Sequence, residues 1–289
     1  MAFQVHHPES VERAIGLAGE LAPDASFLAG GTDLIIQINR KRRAPRHLIA
    51  LGGIGGLAGI EWRDGECVLG ALTTHKTIER CADFQGQLAA LAEAARVVGG
   101  HQVRNIATIG GNIVNASPAA DLLPPLLALD AAVELAGPQG TRRVPIAQFL
   151  RGPGSTDRAD NEILLRIAFP GLSDSGATAF LKAGRRRAME ISVVSVAAVL
   201  DLDANRRCRT ARIALGAVGP VAMRAPAAER VLQGREPAEA AFAEAGRLAA
   251  EACAPISDVR ASAEYRRMLI QALVPRALRH CLQRIEARS

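Results

Sequence analysis

Two glycine-rich stretches decide the fold: FLAGGTDL at residues 27–34 and TIGGNIVNASPAADLLPPLLALD at residues 108–130. In the first, an apolar run predicts a strand that ends in Gly30-Gly31 and leads into a helix. Glycines let backbone N–H groups approach a phosphate closely, and a helix start favours an anion. A carboxylate there would repel a phosphate, so we expect the side chain of Asp33 to turn away. A plain packing turn is the alternative interpretation of residues 27–34.

The second stretch predicts another phosphate cradle, because a Gly-Gly pair lies between Thr108 and Asn112. Hydroxyl and amide groups would join the backbone donors there. The cradle continues through Ser117 to Asp121, which is a candidate for ribose hydroxyls because a carboxylate accepts two hydrogen bonds. Two cradles in one chain favour a dinucleotide over a packing turn. Neither matches G-x-G-x-x-G or G-x-x-x-x-G-K-S/T, so the common dinucleotide fold and the triphosphatase loop are not indicated.

The composition is that of a globular protein with an aliphatic core. The chain has 289 residues, of which 49% are hydrophobic, 22% charged and only 3% aromatic. Few aromatic rings argue against a surface that stacks nucleic-acid bases. The net charge of +6 comes almost entirely from arginine, since lysine occurs only at Lys41, Lys76 and Lys182. In such a chain Lys182, inside an apolar strand, is a candidate for a cofactor contact, with an ordinary surface lysine as the alternative.

The cysteine pattern argues against a bound metal cluster. Five cysteines lie far apart and form no C-x-x-C motif, so neither a zinc nor an iron–sulfur signature is present. Their odd number fits a reducing cytoplasm better than a disulfide framework. The N-terminus lacks a signal pattern, and no apolar run approaches the roughly 20 residues of a membrane helix. The sequence therefore predicts a cytoplasmic protein without a membrane span.

The order of elements predicts an α+β protein with two domains. Residues 1–58 alternate strands and helices as a small α/β unit, and hairpin signals begin after residue 59. The segment GLSDSG at 171–176 predicts a linker. We therefore expect one domain over 1–174, with subdomains of about 1–58 and 59–174, and a second over 175–289. Three antiparallel strands and helices are expected in the second.

Together, these motifs resemble those of a known protein family. FLAGGTDLI, followed by VRNIATIGGNIVNASPAADLLPPLLALDA, resembles the FAD-binding (medium) subunit of molybdenum hydroxylases, the xanthine dehydrogenase and carbon monoxide dehydrogenase flavoprotein family. The resemblance continues through FLRGPGSTDRADNEIL and the C-terminal half, so it covers nearly the whole chain. It implies an FAD-binding domain of the vanillyl-alcohol-oxidase/PCMH type with two α/β subdomains. A C-terminal domain of the carbon monoxide dehydrogenase flavoprotein type, with a three-stranded antiparallel sheet and helices, would follow.

The resemblance also implies which residues bind FAD. Leu164 would contact adenine, Asp121 would bind the adenosine end, and Lys182 would lie near the flavin ring. Ile191 would cover the isoalloxazine, and Val98 stands where some members carry a phenylalanine beside it. The pyrophosphate and nearby groups would be held by Phe27, Leu28, Ala29, Gly30, Gly31, Thr32, Asp33, Leu34, Thr108, Ile109, Gly110, Gly111 and Asn112. No catalytic residue and no metal ligand is expected.

The function that the resemblance implies is electron transfer inside a larger complex. A small subunit with two-iron clusters would pass electrons to FAD, and FAD would pass them to NAD or another acceptor. A molybdopterin large subunit would act on the substrate, and the complex would be a dimer of heterotrimers. One alternative is a self-sufficient flavin oxidase, and a remote one is a basic nucleic-acid or interaction module. The chain lacks the inserted, cysteine-bearing loop of 4-hydroxybenzoyl-coenzyme A reductases, which argues against that branch.

Overall fold

The N-terminal part of the chain forms a three-stranded parallel sheet with two helices. The computed structural model describes residues 3–186 and 189–288. The strands pair in the order β1-β3-β2. The elements are β1 Gln4–His6, α1 Val11–Glu20, β2 Ala25–Leu28, α2 Leu34–Asn39 and β3 His47–Ala50.

Local chemistry explains where these helices begin and end. Ser10 caps α1 by accepting a hydrogen bond from the backbone N of Arg13 at 3.2 Å. The helix expected after Gly31 begins at Leu34 and ends at Asn39. Lys41 takes a left-handed φ of 57°, which a continuing helix does not allow. The basic residues after Asn39 therefore lie in a turn rather than on the last turn of α2.

A five-stranded antiparallel sheet follows, in the order β4-β5-β10-β6-β7. The first hairpin after residue 59 turns at Asp64-Gly65, and both residues have positive φ (50° and 79°), as a tight hairpin turn requires. Residues 132–145 form a second hairpin. The strands are β4 Ile60–Arg63, β5 Glu66–Gly70, β6 Ala132–Gly137, β7 Gly140–Pro145 and β10 Ile163–Pro170.

Short helices pack around this sheet, and one of them contains the second glycine pair. Thr108 caps that helix, because its Oγ1 accepts from the backbone N of Gly111 at 3.1 Å. The elements are α3 His75–Arg80, α4 Ala89–Arg96, α5 His101–Ile106, α6 Ile109–Val114, α7 Leu123–Ala128, α8 Ile146–Phe149, β8 Leu150–Gly152 and β9 Ser155–Thr156.

The C-terminal part is a second antiparallel sheet with helices, which confirms the α+β class. Its order is β11-β12-β13-β14, so it has four strands where three were expected. The fourth is a two-residue edge strand, too short to produce a periodic signal. The elements are β11 Gly176–Ala183, β12 Val194–Leu202, β13 Cys208–Gly216, β14 Met223–Arg224, α9 Pro226–Arg230, α10 Glu239–Ala252 and α11 Ala263–Glu286.

This second sheet is covered on both faces. Along β12, Ala198 and Leu200 belong to the core beneath α10 and α11. The alternating residues Ala197 and Val199 belong to the core that contains α4 and α7. All nine residues of β12 are buried, so the C-terminal sheet closes the core of the preceding part. Among the described residues, no helix combines the length and apolar character needed to cross a membrane.

The contact between α10 and α11 gives a test of this packing. An added Cβ at Gly246 would lie 2.6 Å from the carbonyl O of Gln271 and 2.9 Å from Cδ of Pro275. We expect Gly246→Ala to lower the free energy of unfolding by about 1–3 kcal/mol in urea titrations, the usual cost of overpacking. In the matched control Gly19→Ala, the new Cβ meets no atom within 4 Å, and helix propensity should stabilise the protein by about 0.5–1 kcal/mol. Equal stability of the two variants would contradict the packing.

Candidate functional site

Two cavities meet where β2 and α6 end. Cavity A has a volume of 430 Å³ and extends along β2 to Leu164. Cavity B has a volume of 540 Å³ and extends from the first glycine pair to Val98. Both walls contain the same group of residues, here called the seam: Phe27, Ala29, Arg43, Gly111, Val114, Arg158 and Asp160. Shared walls make the two cavities one elongated site, which fits a long ligand better than a compact one.

The first glycine pair is needed because two backbone segments lie in direct contact. A Cβ on Gly30 would lie only 2.0 Å from the carbonyl O of Ile106, at the end of α5. Gly31 has φ +72°, a conformation that favours glycine. Its carbonyl accepts from the backbone N of Ile35 at 3.0 Å, so the turn leads directly into α2. The turn after β2 is therefore fixed against the turn before α6.

The two glycines of α6 serve different purposes. A Cβ on Gly110 would lie 2.7 Å from the carbonyl O of Ala71, so this residue permits close packing. Gly111 faces the seam, and a Cβ there would meet only Oγ1 of Thr108, at 3.0 Å. Glycine at 111 thus leaves space for a ligand rather than for another part of the chain.

Cavity B contains two buried polar atoms without a protein partner. They are Nδ1 of His75 and Oδ1 of Asn112, and both residues line the wall. Buried polar atoms are nearly always hydrogen-bonded. These two atoms, together with the glycine turns, fit a polar ligand such as the ribityl–phosphate part of a flavin dinucleotide.

His75 is neutral at physiological pH. The residue is 1% exposed, and its backbone N donates to the carbonyl O of Ala107 at 3.0 Å. Burial, aided by the nearby Arg104 guanidinium, lowers the pKa of His75 to about 4. The ring therefore offers one donor and one acceptor nitrogen and carries no charge.

Arg104 holds the wall that contains Val98. Its side chain is almost fully buried and donates to Oε2 of Glu79 at 3.1 Å. It also donates to the carbonyl oxygens of Val98 and Gly99, at 3.2 and 3.3 Å. His101, at the start of α5, is 3.1 Å from the same guanidinium. The turn at residues 98–100 is thus tied to α3 and α5.

Asp121 and Lys182, for which the resemblance implies contacts at different ends of FAD, form a largely buried ion pair. Nζ of Lys182 lies 2.7 Å from Oδ2 of Asp121, and Ser192 donates to the other carboxylate oxygen. Burial raises the pKa of Asp121, against the opposing effect of Lys182 and Ser192. Lys182 also donates to the carbonyl of Glu190 at 2.8 Å and is 3.4 Å from that of Val97. The pair therefore ties the segment around Asp121 to β11 and to the backbone at Val97 and Glu190.

Of the remaining predicted residues, some line the two cavities and others do not. Asp33 lines cavity B without capping α2 through its side chain, and partial burial raises its pKa. Ile191 is 52% exposed. The described cavity walls include Phe27, Ala29, Gly30, Gly31, Thr32, Asp33, Leu34, Val98, Thr108, Gly110, Gly111, Asn112 and Leu164. They do not include Leu28, Ile109, Ser117, Asp121, Lys182 or Ile191.

Several wall residues, among them His75, Arg43 and Arg158, carry no motif that would single them out in the sequence. His75 is the first residue of α3 and directly follows its N-cap, Thr74. Arg43 is the last of four consecutive basic residues, a pattern typical of an exposed surface. Arg158 lies in the quoted motif FLRGPGSTDRADNEIL, where only Leu164 was selected. All three line cavity B, and the two arginines also line cavity A.

The comparisons with known proteins identify the family. Residues 1–172 match the family described as FAD binding domain in molybdopterin dehydrogenase. Residues 179–281 match the CO dehydrogenase flavoprotein C-terminal domain. The chain belongs to this family of flavoprotein subunits. The predicted resemblance and the predicted cofactor, FAD, are confirmed.

Relatives of this flavoprotein subunit span its whole length. The carbon monoxide dehydrogenase medium chain of Hydrogenophaga pseudoflava is 33% identical, over 96% of each chain. The putative xanthine dehydrogenase FAD-binding subunit of Escherichia coli K12 is 35% identical, over 94% of each chain. Among solved structures, carbon monoxide dehydrogenase from Hydrogenophaga pseudoflava superposes with a TM-score of 0.94, covering 98% of each chain at 33% identity. The fold and the subunit class are therefore those expected from the motifs.

The neutral state of His75 predicts a pH dependence. The pKa of His75 is about 4 in the folded protein and 6.5 for the free side chain. The unfolded chain therefore binds the proton more tightly than the folded protein does. This contribution to stability is present above pH 6.5 and is lost as pH falls towards 4. Between pH 7 and 4.5, we expect the wild-type protein to lose about 2–3 kcal/mol more unfolding free energy than His75→Asn in urea titrations. Parallel pH profiles of the two proteins would show that His75 is not buried in its neutral form.

Proposed function

We propose that this subunit is the electron-transfer module of a molybdopterin-dependent hydroxylase or dehydrogenase. It would take electrons from iron–sulfur clusters onto FAD and deliver them to NAD or another acceptor. The observation that carries the proposal is the elongated site of cavities A and B, with Gly111 opening onto its seam. Family membership supports the identity of the ligand.

The two cavities suggest how FAD is arranged. Cavity A has an apolar wall that includes Ala22, Pro23 and Leu164, which suits adenosine. Cavity B reaches Val98, which suits the flavin ring. The pyrophosphate would then lie at the seam, beside Gly111. This arrangement keeps Leu164 at adenine, as expected, and assigns the glycine turns to the middle of the cofactor.

The chain's own residues bind and orient rather than react. FAD supplies the redox chemistry. The Asp121–Lys182 pair holds Lys182 where it can donate to the carbonyl oxygens of Val97 and Glu190. It thereby joins the wall before Val98 to the backbone at Glu190, next to Ile191. We propose that Lys182 and Asp121 position this end of the site, and that aliphatic side chains cover the flavin.

The partners follow from the same proposal. We infer an iron–sulfur small subunit and a molybdopterin large subunit, assembled as a dimer of heterotrimers in the cytoplasm. The five cysteines are free, and four of them are buried. Burial raises the pKa of the Cys67, Cys208 and Cys281 thiols to about 12, so these groups are poor cluster ligands. We also propose the domain boundary at 174/175, between the two matched family regions.

Gly111→Val tests the site. The new side chain would project into the seam, so we expect the affinity for FAD to fall by about 10- to 100-fold. The measurement is a titration of the apoprotein with FAD, followed by flavin fluorescence. Gly19→Val is the matched control: it also puts a β-branched residue in a helix, but the site is exposed and touches no cavity. Wild-type affinity in Gly111→Val would refute this placement of FAD.

Electron transfer is tested in the assembled complex. The subunit is co-expressed with an iron–sulfur small subunit and a molybdopterin large subunit, and the clusters are reduced anaerobically with limiting dithionite. Addition of NAD, oxygen or a quinone should reoxidise the wild-type clusters, whereas a Gly111→Val complex from which FAD has been removed by gel filtration should keep them reduced. Equal reoxidation by every acceptor in both complexes would contradict the proposal. Peroxide formation from alcohols or phenols by the isolated FAD-loaded chain would instead support the oxidase alternative.

A further inference from the structure

A partly buried arginine, Arg158, lies between the two cavities. Arg158 follows β9, and its side chain is 19% exposed. Its Cζ lies 5.9 Å from the centroid of the Phe27 ring, at the end of β2. The residue contributes to the walls of both cavities. It therefore lies beside the turn that carries the first glycine pair.

Only part of this guanidinium is used by the protein. Nη1 donates to the carbonyl oxygens of Ala159, Asp160 and Glu162, at 2.7, 3.1 and 2.8 Å. In the described part of the chain, Nε and Nη2 have no acceptor within hydrogen-bond distance. The nearest carboxylate oxygen to Nη2 is Oδ1 of Asp160 at 3.9 Å, and that side chain is fully exposed. Arg158 is thus fixed by one nitrogen while its other nitrogens remain available.

The surrounding charges leave the seam positive. Glu162, the other nearby carboxylate, is bound by Arg142 at 2.6 and 2.8 Å. Arg43 also lines the seam, and Asp160 is the one carboxylate among the seam residues, so these residues carry one net positive charge. Burial lowers the pKa of Arg158, the Asp160 and Glu162 carboxylates oppose that shift, and the Arg43 charge adds to it. Two guanidinium groups that repel each other beside a cavity are stabilised by an anion between them.

We propose that Arg43 and Arg158 form a cationic clamp for the pyrophosphate of FAD at the seam. This inference rests on the proposed function, because it assumes that FAD occupies both cavities. A guanidinium presents N–H donors in a planar fork that matches phosphate oxygens. The glycine turns supply neutral backbone donors, and Asp33 in cavity B adds a negative charge. The clamp supplies the positive charge that a doubly negative pyrophosphate requires.

The clamp predicts an affinity for FAD that depends on salt. Charge-assisted hydrogen bonds contribute enough that Arg43→Ala and Arg158→Ala should each weaken FAD binding by about 10- to 100-fold. Because exposed charges are screened by salt, the dependence of log Kd on log salt concentration should also become shallower in both variants. The measurement is a fluorescence titration of the full-length apoprotein with FAD at several KCl concentrations.

Controls separate the clamp from a structural role. Arg42→Ala removes an exposed arginine of the same turn that lines neither cavity, and it should keep wild-type affinity and salt dependence. Arg158→Lys keeps the charge and should recover part of the affinity. If Arg158→Ala does not fold, the FAD affinity and salt dependence of Arg43→Ala test the clamp on their own. Unchanged affinity, or weaker binding with an unchanged salt dependence, would overturn the clamp. Failure of the wild-type chain to bind FAD would instead overturn the proposed function.

Discussion

The site depends on the contact between the backbone of Gly30 and the end of α5. With 2.0 Å between a hypothetical Cβ and the carbonyl O of Ile106, any side chain there would push the two glycine turns apart. Gly110 makes a similar contact with the carbonyl of Ala71. The first contact places the turn after β2 against the end of α5, and the second packs α6 against the chain that follows β5. The elongated cavity lies beside both contacts, so the ligand site depends on this close backbone packing.

The C-terminal sheet supports this site from the other side. β12 is buried on both faces, so one of its faces serves the core next to the cavities. Phe180 donates its backbone N to Glu93 at 2.8 Å, and Glu93 is in turn paired with Arg284 of α11. The Asp121–Lys182 pair crosses the same boundary. A charge pair buried at such a boundary loses much solvation, so it fixes register and position more than it adds stability.

Local signals predicted much of the fold, whereas the site needed long-range contacts. The cap at Ser10 and the hairpin at Asp64-Gly65 involve neighbouring residues, and both were predictable. The pairing of Asp121 with Lys182 joins residues 61 positions apart, which no periodicity encodes. The position of Arg158 likewise depends on a residue far away in the sequence, Phe27 near the end of β2. The glycine motifs predicted where the cavity lies. The charged residues around it are far apart in the sequence, so only the three-dimensional structure shows that they share the cavity wall.

The chemistry of cavity B fits binding rather than substrate conversion. A general base works best with a pKa near the working pH, and the buried His75, with a pKa of about 4, is far from that range. Lys182, which sits behind the Val98 wall, is neutralised by Asp121 and donates to backbone carbonyl oxygens. Neutral or paired groups hold a ligand without exchanging protons with it. Such a site suits a bound cofactor better than a substrate that must exchange protons with the protein.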